Sequence, residues 1–171
     1  QVEGRQVEGR QVEGESKKAR YVYPGGNFVT EEFIDSLIQA ESGGDPDNVS
    51  PVGAEGLGQI MPKTEKNPGF GVKPLLDAFD PVENRRFTTE YSEALAQRYN
   101  GDMETTLVAY NAGYKNADRF LEAGKDYSVL PKRKETEPYV AEVLAGVGKA
   151  GGGPIKSYQS VGSVQSAVEN I

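Results

Sequence analysis

Read for the spacing of its apolar positions, the chain resolves into a series of short helices separated by polar turns. Thr30 is placed to cap a helix whose stripe is Phe33, Ile34, Leu37 and Ile38, and Gly43-Gly44 supplies its stop. Asp80-Pro81-Val82-Glu83 carries an N-cap, a proline at the first helical position and a glutamate in the first turn. Phe87, Tyr91, Leu95 and Tyr99 then recur every four residues, so this helix is predicted to run to Tyr99 and stop at Asn100-Gly101. Asp102 caps the next, with Met103, Leu107 and Tyr110 on one side and an end near Gly113. A short helix is predicted over 116–123 with Phe120 and Leu121 inward. A last one is predicted from Pro138 to Val147, capped by Thr136 and striped by Tyr139, Val140, Val143, Leu144 and Val147. Strand alternation is absent, which predicts a mainly α domain with little or no sheet.

Between the first two long helices the pattern breaks into loops. Asp45-Pro46-Asp47-Asn48 has turn chemistry, and Ser50 to Gly58 is rich in glycine. Gly53, Gly56 and Gly58 do not have the spacing of a dinucleotide or P-loop motif and follow no strand, so a phosphate cradle is excluded. The stretch 67–76 is punctuated by Pro and Gly and is read as irregular, with Phe70 either lining the cleft or filling a gap, the gap being the favoured reading. Residues 1–14 repeat QVEGR, with one valine in five and a glycine in every repeat; this fits neither helix nor strand, and residues 1–26 are read as a flexible arm. From Gly151 the chain turns to GGGP and a Ser/Gln/Val-rich tail, so 149–171 is read as a linker. One domain over 27–148 remains.

Composition narrows the chemistry. The 171 residues contain no cysteine and no histidine, which removes disulfides, thiolate sites and Ser-His or Cys-His catalysis. Acid–base work falls to carboxylates, and no cofactor or metal is expected. The net charge of -7 offers no footprint for nucleic acid. No apolar run approaches the ~20 residues that span a bilayer.

Counting on from Ile34, Leu37 and Ile38 by threes and fours lands on Glu41, so a carboxylate continues an apolar face. Desolvation there would favour the protonated form and leave a general acid near neutral pH. Position alone leaves open the plainer reading, a glutamate that frays into solvent at the helix end.

The segments around this residue resemble a known family. Glu41-Ser42, SPVGAEGLGQIMPKT at 50–64, AYNAG at 109–113 and ETEPYV at 135–140 occur in the order found in soluble lytic transglycosylases with a goose-lysozyme-like catalytic domain. The resemblance covers roughly residues 30 to 147. Within that family the chain is most similar, through NPGFGVKPL and DPVENRRF, to the transglycosylase domains of phage virions. It implies a lysozyme-like helical fold with irregular cleft loops, and Glu41 as acid and then base in cleaving the MurNAc-GlcNAc β-1,4 bond to a 1,6-anhydro product. It further implies substrate contacts from Ser42, Ser50, Gln59, Met61, Tyr110, Asn111, Ala112, Glu135 and Tyr139. The family's usual arginine in the last motif is replaced by Glu137 here. Implied partners are peptidoglycan glycan strands and other virion proteins, with the chain carried on a phage virion and acting at the bacterial cell wall, or resident in the bacterial periplasm. Two alternatives stand beside this: a hydrolytic muramidase drawing a second carboxylate from Glu55, Asp45 or Asp47, and a non-catalytic wall-binding or structural virion module.

Overall fold

Local chemistry sets the first boundary. Thr30 accepts a hydrogen bond from the Phe33 amide at 3.2 Å and so begins α1 (Glu31–Ser42), while Gly43 ends it in the left-handed region at φ 66°. The structure, a computed structural model, describes residues 28–147. The expected arm over 1–26 and tail over 149–171 lie outside the described residues.

After α1 the chain forms the glycine loop and a one-turn helix, α2 (Pro62–Lys66), that the sequence pattern did not predict. The long helix α3 (Pro81–Arg98) begins at Asp80, whose carboxylate accepts from the Val82 and Glu83 amides. Asn100 and Gly101, at φ 51° and 81°, turn the chain, and Asp102 starts α4 (Met103–Ala112). Gly113 separates α4 from α5 (Tyr114–Glu122), and a 3-10 turn (Tyr127–Val129) leads to α6 (Arg133–Gly146). Among the described residues there is no strand, only the isolated bridges Val49–Glu55 and Glu55–Ile60.

The apolar stripes meet in one core. Phe33, Ile34, Leu37 and Ile38 from α1, Leu95 from α3, Leu107 and Val108 from α4, Phe120 from α5, and Val140 and Val143 from α6 are all buried. Helix α1 lies against α6, and α4 packs on α3, α5 and α6. The α1–α6 contact is close: Ser36 donates to the Val143 carbonyl at 2.7 Å, and a Cβ on Gly146 would run into the Ser36 side chain. A smaller cluster of Ile60, Leu75, Ala78 and Phe87 lies between the glycine loop and α3.

Several expectations are corrected. Helix α5 starts at Tyr114, directly after Gly113, and its Leu121 is 44% exposed while Phe120 alone of that pair faces the core. Helix α6 starts five residues before Pro138, so Thr136 is not its cap; it is buried in the second turn and donates to the Asn111 Oδ1 at 2.7 Å. Proline in a helix interior forfeits a backbone bond, and the Thr136–Asn111 contact helps hold that turn to α4. The same register leaves Leu144 and Val147 exposed, and Phe70 is likewise a surface residue.

Candidate active site

Glu41 stands in the last turn of α1, on the side that faces α6. Burial pushes its carboxyl up from 4.5 to about 7; the Tyr139 hydroxyl opposes that shift and the charge of Glu135 adds to it. Tyr139 and Glu135 are both on α6, which explains why the first and last helices must meet for this site to exist. The Tyr139 hydroxyl is buried and makes no aligned hydrogen bond of its own, although it lies close enough to Glu41 to act on it as a donor. Catalytic hydrogen bonds are often loose before substrate binds. Glu135 is open to solvent, with Lys132 Nζ 3.5 Å away.

Tyr110, near the end of α4, lies within the electrostatic reach of the carboxyl. Burial first, and the charge of Glu41 next, push its phenol well above the ordinary range, so it stays a neutral hydroxyl. That hydroxyl donates to the Gly58 carbonyl at 2.8 Å. The contact ties α4 to the glycine loop. A Cβ on Gly58 would collide with Thr88 Oγ1 and stand 2.8 Å from the Tyr110 hydroxyl, so the loop approaches α3 and α4 as closely as it does only because residue 58 has no side chain.

The rest of the loop is held by its own polar groups. Ser50 accepts from the Ala54 amide through Oγ at 2.9 Å and closes the turn at Gly53. Gln59, left-handed at φ 50°, donates its amide to the Asn48 and Gly56 carbonyls at 3.1 and 2.9 Å. Met61 is exposed at the start of α2. Ser42 is turned inward: its hydroxyl donates to the Ile38 carbonyl and accepts from the Gly44 amide, finishing α1. Asn111 holds Thr136, and the Ala112 carbonyl accepts from Asn116 at 2.7 Å, so this pair fixes the turn between α4 and α5. The carboxyl, Tyr110, Tyr139 and Glu135 are thus brought together electrostatically, whereas Ser42, Ser50, Asn111 and Ala112 shape the backbone beside them.

Glu55 has a different neighbour. Glu65 is raised by desolvation, then by the charge of Glu55 and a hydrogen bond to it, so the two carboxyls form a pair between the loop and α2. Asp45 caps its own turn by accepting from the Asp47 amide at 3.0 Å. No group of three or more His, Cys, Asp or Glu suited to a metal ion occurs among the described residues.

The most influential residue not anticipated from sequence is Asn84. Fully buried on α3, it accepts from the Gly58 amide at 2.8 Å and from Thr88, and donates to the Ala78 carbonyl at 2.9 Å. Asn84, Thr88 and Ser92 recur every fourth residue and all are fully buried. The signal was the one that singled out Glu41, polar groups at stripe positions of a helix.

The profile of the family described as "Transglycosylase SLT domain" matches residues 26–128, more than half of the chain. The chain belongs to this family. Relatives of the SLT domain include the transglycosylase of Enterobacteria phage PRD1, 36% identical over 85 residues, which are 50% of this chain and 30% of that protein. The soluble lytic murein transglycosylase of Escherichia coli is 31% identical over 136 residues, 72% of this chain and 21% of the relative. The chain therefore spans about a third or less of these relatives. Among solved structures, the 70-kDa soluble lytic transglycosylase of Escherichia coli superposes with a TM-score of 0.61 and 29% identity over 69% of this chain and 21% of its own. An inactive Glu-to-Gln mutant of the Pseudomonas aeruginosa lytic transglycosylase Slt gives 0.60 and 28%, over 70% and 21%. The SLT domain thus has the lysozyme-like helical fold of the lytic transglycosylases.

Proposed function

We propose that the chain is a peptidoglycan lytic transglycosylase that cleaves the β-1,4 bond from MurNAc to GlcNAc and leaves a 1,6-anhydromuramoyl end. The observation that carries this reading is the Glu41 carboxyl, raised by burial to about 7 beside the Tyr139 hydroxyl on the docked last helix. At neutral pH such a group is divided between acid and base forms, which suits one residue that must act as each in turn. Glu41 gives its proton to the glycosidic oxygen as the bond from the muramoyl C1 breaks. The carboxylate then takes the proton of the C6 hydroxyl while O6 bonds to C1, so the glutamic acid is regenerated and no water is consumed.

Hydrolysis needs a second carboxylate to serve as base or nucleophile. The partner of Glu55 is Glu65, and Glu135 is solvated, which favours the anhydro route over the muramidase one. The inactive Glu-to-Gln mutant of the Pseudomonas relative fits a chemistry that turns on one glutamate, and a complex of the 70-kDa enzyme with bulgecin A is known for a neighbour with a TM-score of 0.59. Similarity to the phage PRD1 transglycosylase supports a setting in which the domain opens the wall locally on behalf of a virion and contacts other virion proteins there.

Mass spectrometry of muropeptides released from purified sacculi tests the reaction. Anhydro products one water lighter than muramidase products are expected from the wild-type chain and not from Glu41→Gln. Reducing ends would overturn the transglycosylase assignment, and an undiminished Glu41→Gln would overturn the role of Glu41.

A further inference from the structure

We propose that Phe70 and Tyr114 form an outlying sugar subsite, a stacking platform for a pyranose of the glycan strand beyond the residues held at Glu41. This deepens the glycan-cleaving reading and rests on it. Phe70 adopts φ 53° between Gly69 at 75° and Gly71 at 76°, three left-handed residues in succession. For phenylalanine that backbone is disfavoured, and such residues persist where the surroundings or a function require them. Core burial is not the reason here, because Phe70 remains 41% exposed.

What the turn achieves is an arrangement of rings. Phe70 meets Tyr114 edge to face at 5.4 Å and 90°, and Tyr91 at 6.5 Å. Tyr114 is itself 37% exposed and follows Gly113, the glycine that closes the AYNAG turn. Arg98 lies over both rings, 6.0 Å from Phe70 and 5.3 Å from Tyr114, and its charge is held by Asp118 at 2.7 Å. The guanidinium therefore stiffens the pair from one side with its charge already paired.

The platform joins the candidate active site through a run of aromatic contacts. Tyr91 touches Tyr110 at 5.8 Å, and the Tyr110 phenol feels the charge of Glu41. Because Tyr139 and Glu135 approach Glu41 from α6, the path through Tyr110 and Tyr91 leads away along α3 and α4. A pyranose presents C–H groups on one face and its N-acetyl methyl at an edge, and aromatic rings with a few polar groups are the usual lining for such a ligand. The exposed rings stand at the outer end of this run, and on this proposal they hold the part of a longer strand that a short one lacks.

The test is a length series. Peptide-free MurNAc-GlcNAc tetrasaccharide and octasaccharide are given to the full chain as wild type, Phe70→Ala, Phe70→Leu, Tyr114→Ala and the exposed α5 control Leu121→Ala, with Tm measured for each. The platform predicts that the preference for the octasaccharide over the tetrasaccharide in kcat/KM falls about tenfold in Phe70→Ala and Tyr114→Ala, the scale of losing one stacking contact. Phe70→Leu falls similarly, since it keeps bulk and loses the ring, and Leu121→Ala keeps the wild-type preference. Equal losses on both lengths, or an unchanged preference, would overturn the proposal in favour of a purely structural cluster. If the wild-type chain turns over neither sugar and releases nothing from sacculi, the glycan-cleaving reading fails by itself, and the same series read as binding affinity still decides whether the platform holds sugar.

Discussion

A carboxyl raised by burial carries a thermodynamic signature as well as a catalytic one. The folded chain holds the Glu41 proton up to about pH 7, whereas the unfolded chain releases it near 4.5. Between those values the native state binds more protons, so stability contributed by the neutral group is complete below 4.5 and is lost as pH rises through 7. The full effect is at most about 3 kcal/mol. Glu41→Gln, which keeps a neutral side chain, is therefore expected to melt several degrees above the wild type at about pH 8 and to lose that advantage at about pH 4. Thermal unfolding of both chains across pH checks it, and identical curves would show an ordinary solvated carboxylate. Glu41 was visible in the sequence because its place on the stripe of α1 is a local matter. That Tyr139 opposes the shift and Glu135 adds to it was not, since only packing brings α6 to that face.

At the scale of elements, caps and stops set by neighbouring residues were legible: Thr30, Asp80, Asp102 and Gly43 each act where the spacing placed them. The start of α6 was misplaced because a proline reads as a first-turn residue, and the Thr136–Asn111 contact that steadies the turn before it is a tertiary one. Phe70 was misjudged for a related reason: an aromatic residue among glycines and prolines is the same string whether it fills a gap or lies on the surface. The glycine loop is the element most exposed to a single change. Gly58→Ala inserts a methyl against Thr88 and Tyr110, and overpacking of this kind costs about 1–3 kcal/mol. The expected result is a Tm lowered by several degrees together with a drop in turnover as the Tyr110 hydroxyl is displaced. Unchanged melting and turnover would mean that the loop yields freely.

For the whole molecule, charge bears on the proposed substrate. The chain carries -7, and a wall bearing peptide carboxylates would repel it at long range. Added salt screens that repulsion, with a Debye length of about 10 Å at 0.1 M. Sedimentation with purified sacculi is therefore expected to show binding that holds or strengthens as salt rises from low to physiological levels. Binding that weakens steeply would reveal a local basic surface in control. No helix among the described residues is long and apolar enough to cross a membrane.

The meeting of α1 and α6 also has a consequence in time. Contacts between distant parts of a chain form late, because the loop they close is long. Until α6 has been synthesised and has docked on α1, with Gly146 seated against Ser36, Glu41 has neither Tyr139 nor Glu135 beside it. A nascent chain on the ribosome accordingly holds the candidate site in two halves, and they join only when the last helix docks.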